Sequence, residues 1–499
     1  MSEQQTSYRQ IMKATSLFGG VQVFQIIISI IRSKFVAVLL GPAGMGVVGL
    51  LTSTTGFISA LSNFGLGTSA VKNISESNAT QDEHRIATVI AVMRKMVWIT
   101  GLLGAVLTLA LSPWLSQITF GNKDYTIAFV WISITLLFNQ LSTGQMVLLQ
   151  GLRKLQSLAK ANLFGSIVGL LITVPLYYKF GVKGIVPVII LTSVTTLFFS
   201  WYFAKKVKVK SVKVTKDITI KEGKGMLVMG FAISLSGLTT VASAYLLRIY
   251  ISRTGNVADV GLYTAGFTII GTYVGMIFTA MGTDYYPRLA AVAHDNELSK
   301  QSMNQQAEIA LLILAPILIA FLVFINWAVI LLYSTQFVAV TGMVYWAALG
   351  MFFKAGSWAV AFVFLAKGAS RLFFWNEFIG NGYTLLFNIL GYHFYGLTGL
   401  GFSFLITYII YLIQVYVIAK MKYDFSFEKS FLVLFFIQFA LALISFVAVK
   451  FLDQPYPYIV GVILIIISSW YSLNELEKRI AMKQIVRDFL RKKGKNCSN

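Results

Sequence analysis

Charge is what this sequence has little of. Only 12% of its 499 residues are charged, about half the share found in a soluble domain. A soluble core of this size needs a charged shell, and too few charged residues exist to build one. Acidic residues are the scarcer kind, 19 Asp+Glu against 41 Lys+Arg. Cysteine is down to Cys497, which excludes an intrachain disulfide. The three histidines, His84, His294 and His393, lie far apart, so no Cys/His metal cluster is expected. No GxxxxGK[ST] motif occurs, so the chain should not consume ATP. No Ser/His/Asp arrangement occurs either, and neither cofactor nor enzymatic activity is expected. What remains is apolar: 57% of the chain by the AVILMFWYC count, with a mean hydropathy of +0.74. The chain reads as an all-α polytopic membrane protein, neither a soluble enzyme nor a disordered chain.

A helix that crosses a bilayer needs about 20 mostly apolar residues. Fourteen such segments can be read, at 14–40, 43–66, 88–111, 126–149, 161–178, 184–203, 226–251, 258–283, 307–332, 338–365, 372–391, 396–419, 430–449 and 457–473. The first lacks a small-residue cleavage site after a short apolar core and should be retained. With the N-terminus inside, thirty of the 41 Lys+Arg fall in cytoplasmic segments and five in outer ones. That bias predicts both termini in the cytoplasm and an even number of spans. It also accounts for most of the net charge of +22 without nucleic acid.

The longest polar interruption is lysine-rich and separates two sets of six spans. The expected organisation is an N-lobe over 1–204, a basic linker over 205–225, a C-lobe over 226–420, an additional helical hairpin over 421–473 and a basic tail over 474–499. The tail can form an amphipathic helix with Leu476, Ile480, Ile485 and Phe489 near one side, suited to the anionic inner leaflet; a partner-binding role is the alternative. The halves echo each other at an offset near 214. Gly41-Pro42-Ala43-Gly44-Met45-Gly46 corresponds to the segment Gly255 to Gly261, Trp114 to Trp327, and Gly165 to Gly380. Each half has an even span number, so this is a parallel repeat about a pseudo-two-fold along the membrane normal, as in two-lobed transporters.

Several charges lie inside spans, where they are costly unless they face water or a partner. Lys354 is near the middle of span ten. Gln22, Gln25, Ser29 and Arg32 fall at helical spacing on one face of span one, as a cavity lining would. Lys34 projects from another face, and Arg248 occupies its repeat position. Asn139, in a polar stripe with Thr143 and Gln150, is the repeat counterpart of Lys354. The candidate cavity residues are therefore Arg32, Lys34, Arg248, Lys354, Gln22, Gln25 and Asn139. Four of the cations also have a bland reading: a structural pair for Lys354, and snorkelling to an interface for Lys34, Arg94 and Lys95. Asp284, Glu308 and Glu377 all fall near cytoplasmic span ends. A positive cavity should carry an anionic cargo.

The segment Leu40-Gly41-Pro42-Ala43-Gly44-Met45-Gly46 resembles the signature of O-antigen translocases, the Wzx-type polysaccharide-repeat lipid flippases. So do Phe120-Gly121-Asn122-Lys123-Asp124-Tyr125, Gly151-Leu152-Arg153, Tyr286-Pro287 with Leu289, and Lys354-Ala355-Gly356 followed by Ala366-Lys367, Arg371 and Glu377. The likeness spans roughly residues 14–420. It implies two six-helix lobes of the multidrug/oligosaccharidyl-lipid/polysaccharide superfamily. It also implies movement of an undecaprenyl-diphosphate-linked oligosaccharide to the outer leaflet of the plasma membrane, with a polysaccharide polymerase and chain-length proteins as partners. Lys34 and Lys354 match the family's cavity cations; Arg32 rests on the stripe alone. Spans thirteen and fourteen exceed the twelve-span pattern and resemble the lipid II flippase in number. The rival readings are a drug/cation antiporter, which would want intramembrane carboxylates, and a polymerase or ligase, which would want a large outer loop. A structural membrane partner would leave the buried cations unexplained.

Overall fold

The fold comes from a computed structural model. The structure describes residues 3–480 other than 208, 211 and 213, with side chains from Phe24 onward except those of Ala232, Thr283 and Ile480. Every regular element among the described residues is helical. That is what a hydrocarbon solvent demands, since it satisfies no backbone polar group. The helices are α1 (Glu3–Ser62), α2 (Leu66–Ala79), α3 (Glu83–Ala110), α4 (Ser112–Phe120), α5 (Thr126–Gly151), α6 (Leu155–Phe180), α7 (Ile185–Lys205) and α8 (Lys216–Thr254). They continue as α9 (Val257–Phe267), α10 (Met276–Ala291), α11 (Asn296–Leu332), α12 (Thr341–Ala366), α13 (Ser370–Tyr423), α14 (Lys429–Phe451) and α15 (Tyr456–Ile480).

Among the described residues ten helical stretches are long and apolar enough to cross a membrane, or eleven if the bent α8 counts as one span. Two of the ten fold back on themselves. At 1.5 Å per residue a straight α13 would run about 80 Å, against a hydrocarbon core of about 30 Å. It folds back at Gly396, whose φ of 57° and ψ of −140° suit only glycine. Ser403 Oγ consequently donates to the Phe387 carbonyl at 2.6 Å; sixteen residues of straight helix would separate them by about 24 Å. Gly181 makes the same turn between α6 and α7, at φ 53° and ψ −133°. Gly41, at φ 66° and ψ −173°, breaks α1. Reporter fusions after Lys495 and near Gln454 are expected to report opposite sides of the membrane; the same side for both would remove the last hairpin from the spans.

The internal repeat recurs in the backbone. Helices α5 and α12 are both 26 residues long and start and end 215 positions apart. Past their ends, Arg153 (φ 54°) and Gly368 (φ 69°) take the same left-handed conformation. The following amides close the same loop, Lys154 to the Leu149 carbonyl at 2.8 Å and Ala369 to the Phe364 carbonyl at 2.9 Å. Gly181 and Gly396 stand at the same offset.

The chain forms two compact units. One comprises Met1–Thr264 with Leu332–Phe337, the other Ala265–Leu331 with Val338–Asn499. Helix α8, which the repeat assigns to the second half, packs within the first unit. Gly230 lies against the backbone of Phe64 and Gly65. Tyr245 and Thr119 hydroxyls are 2.9 Å apart, and Arg85 grips the Glu222 carboxylate with both terminal nitrogens at 2.7 and 3.1 Å. The linker is held too: Lys95 Nζ donates to the Val214 carbonyl at 3.0 Å and to Thr219 Oγ1 at 3.2 Å.

In the second unit, α14 and α15 pair through a buried polar cluster. Gln438 Nε2 donates to Ser472 Oγ at 2.8 Å, and Ser468 Oγ donates to Gln438 Oε1 at 2.6 Å. The buried Glu308 of α11 accepts from Ser430 Oγ at 2.5 Å and Arg479 Nε at 2.7 Å. These bonds fasten the extra hairpin to its unit. Residues 474–480 continue α15, and the amphipathic tail expected around Ile485 and Phe489 lies outside the described residues.

Candidate substrate site

Lys354 stands near the middle of α12 and forms no ion pair among the described residues. Its ammonium lies over aromatic rings of the second unit, 5.2 Å from the Tyr408 centroid, 5.6 Å from Phe278 and 5.9 Å from Phe404. Ring faces carry negative potential, and each such contact contributes about 0.5–2 kcal/mol. That holds the cation without neutralising it. An anion can therefore approach without first displacing a carboxylate.

Arg32 reaches from α1 to α6. Its Nη2 lies 3.1 Å from the point where Gly169 would carry a Cβ. Its Nε is buried without a hydrogen-bond partner, a costly state for a cationic group. Arg248, on α8, donates from Nη1 to the Ala244 carbonyl at 3.1 Å and sits 5.4 Å from the Tyr263 ring; its Nε too is buried and unpartnered. Both arginines belong to the first unit. Lys34 and Gln25 are partly buried, and the Gln22 side chain lies outside the described residues. Asn139, Thr143 and Gln150 line a cleft of about 550 Å³ with Thr68 and Thr196, a size suited to a small ligand. The α5 stripe read from the sequence lines this cleft. The candidate residues thus occupy separate places in the first unit, with Lys354 in the second.

Sequence reasoning missed the surroundings of Lys354. Tyr408 and Tyr411 are three residues apart on α13, so one face was legible, but not what it faced. Glu377, read as a charge near a span end, is bound into a network. Tyr411 Oη donates to its Oε1 at 2.5 Å, Asn376 Nδ2 lies 3.0 Å from Tyr411 Oη, and Gln414 Nε2 donates to Asn376 Oδ1 at 2.7 Å.

The model of a family described as polysaccharide biosynthesis protein matches residues 35–342. The lipid III flippases of Escherichia coli (strain K12) and Shigella flexneri are each 21% identical to this chain over 382 residues, 76% of this chain and 90% of theirs. A multidrug resistance MATE family transporter of the MOP superfamily, in an inward-facing conformation, superposes with a TM-score of 0.69 at 17% identity, covering 80% of this chain and 94% of its own. The lipid II flippase MurJ, in an inward closed conformation, gives 0.66 at 13% identity, covering 93% of this chain and 99% of its own. These solved structures share the fold. With well over half of its length matched by the family model, the chain belongs to the polysaccharide biosynthesis protein family.

Proposed function

We propose that this protein is a flippase. It moves an undecaprenyl-diphosphate-linked oligosaccharide, an O-antigen or related repeat unit, from the cytoplasmic to the outer leaflet of a bacterial plasma membrane. The observation that carries the reading is Lys354, a mid-helix cation held by rings and without a carboxylate partner among the described residues. A diphosphate with a hydrated glycan cannot enter hydrocarbon unaided, because its charges and hydroxyls lose their water. Cations at Lys354, Arg32 and Arg248 replace part of that hydration, the cleft at Asn139 offers amide and hydroxyl groups, and the polyprenyl chain stays in lipid. Alternating exposure of the cavity to the two faces completes the transfer. No covalent bond changes. Two relatives are lipid III flippases by name and the matching family is one of polysaccharide biosynthesis, which together support a lipid-borne saccharide as cargo. A polymerase and chain-length proteins are the expected downstream partners.

The test is export in cells, read as surface glycan and as lipid-linked precursor retained inside. Deletion is expected to abolish the first and accumulate the second; unchanged surface glycan would refute the proposal. A finer check concerns Arg32. Gly169→Leu leaves Arg32 in the sequence but fills the space beside its guanidinium. It should lower export about as far as Arg32→Gln does, roughly ten-fold for one charge-assisted contact. Normal export in both variants would remove Arg32 from the site.

A further inference from the structure

Beside Lys354 the second unit holds a cleft of about 510 Å³ lined by Phe278, Thr279, Gly282, Tyr286, Trp358 and Phe362. Trp358 and Phe362 follow Lys354 at steps of four, so all three share one stripe of α12. Trp358 packs against Phe278 and Phe362 with centroids 5.2 Å away in both cases. Gly282 supplies the width: a Cβ there would meet Trp358 at 3.4 Å and Phe362 at 3.8 Å. Phe278 belongs both to the ring set around Lys354 and to the cleft. From Phe278, the ring it shares with Lys354, the lining runs to Phe362 and Leu365 near the end of α12 that precedes Lys367.

Resting on the flippase reading, we propose that this cleft is a sugar subsite, which stacks the first ring of the glycan on Trp358 while Lys354 holds the diphosphate. One face of a pyranose presents C–H bonds, apolar and slightly positive, and the face of an indole ring is apolar and negative. The cation and the rings therefore match a diphosphate joined directly to a sugar, in that order along α12. A bare polyprenyl chain would account for the rings but not for an ammonium over the cleft's own Phe278 or for the Tyr286 hydroxyl. Trp358 is thereby a specificity-determining residue.

The experiment uses the full chain in lipid nanodiscs and two probes, undecaprenyl diphosphate and undecaprenyl-diphospho-N-acetylglucosamine, with affinity read by native mass spectrometry. Trp358→Ala is expected to weaken the sugar-bearing probe about five- to ten-fold and leave the sugar-free one nearly unchanged. Trp358→Phe should retain most of the affinity. Gly282→Leu keeps the tryptophan but fills the cleft, and should repeat the Trp358→Ala pattern if that variant folds poorly. Lys354→Ala should weaken both probes. Equal losses for both probes in Trp358→Ala and Gly282→Leu would give the cleft to the polyprenyl chain and overturn the subsite; so would no loss in either variant. Failure of the wild type to bind either probe would instead refute the flippase reading beneath it.

Discussion

Replacing Lys354 by alanine is expected to abolish glycan export while the amount of protein in the membrane stays nearly unchanged. Most buried charges do not permit that separation. Removing one member of a buried ion pair leaves the other uncompensated and costs about 3–5 kcal/mol, so quantity and activity fall together. Lys354 has rings for neighbours, at 5.2–5.9 Å, and its loss strands no carboxylate among the described residues. Only the cation–π attraction disappears, about 0.5–2 kcal/mol per ring at most, together with the cost of burying the ammonium. The diphosphate, by contrast, loses a charge-assisted contact worth about 1.5–3 kcal/mol, roughly ten- to hundred-fold in occupancy. Lys354→Arg keeps the charge but replaces a compact ammonium by a planar fork, so it should retain partial export. Both variants call for export per molecule, measured as surface glycan against immunoblotted protein. Normal export at normal level in Lys354→Ala would end the anion-site role; a low level with normal export per molecule would make the lysine structural.

Much of the fold was legible because hydropathy reports what a bilayer requires. The expected spans at 126–149 and 338–365 correspond to α5 at Thr126–Gly151 and α12 at Thr341–Ala366. Segments with mixed polarity were not legible. The expected spans leave residues 67–87 as a connection, whereas Leu66–Ala79 is a helix, amphipathic and set off by the left-handed pair Phe64 and Gly65. The expected span 258–283 contains a π-helical stretch at Thr268–Val274, whose looser hydrogen bonding has no hydropathy signature. Individual polar stripes were readable, as Asn139 with Thr143 and Gln150 shows, since a stripe is a property of one helix. The neighbours of Lys354 come from α10 and α13 and required tertiary structure. The same limit applied to Arg32, whose room is made by a glycine on another helix, Gly169.

The glycines of the repeated motif carry the other large expectation. Gly46 on α1 approaches Val257 so closely that a Cβ would overlap its carbonyl oxygen, and Gly261 on α9 approaches Pro42 in the same way. The numbers are reciprocal: 42 and 257 stand 215 apart, as do 46 and 261. Each motif thus places its glycine on the other's carbonyl, the self-complementary pattern of a two-fold contact. Gly46→Ala and Gly261→Ala should each force the two segments apart and cost about 1–3 kcal/mol, as overpacking does. One separation relieves both clashes. The double variant should therefore cost clearly less than the two single costs added, a coupling that independent sites lack. Thermal stability of the detergent-solubilised full chain, measured for the four proteins, decides it. Wild-type stability in both single variants would show that the backbones do not meet. Additive losses would show two separate contacts rather than one reciprocal clasp.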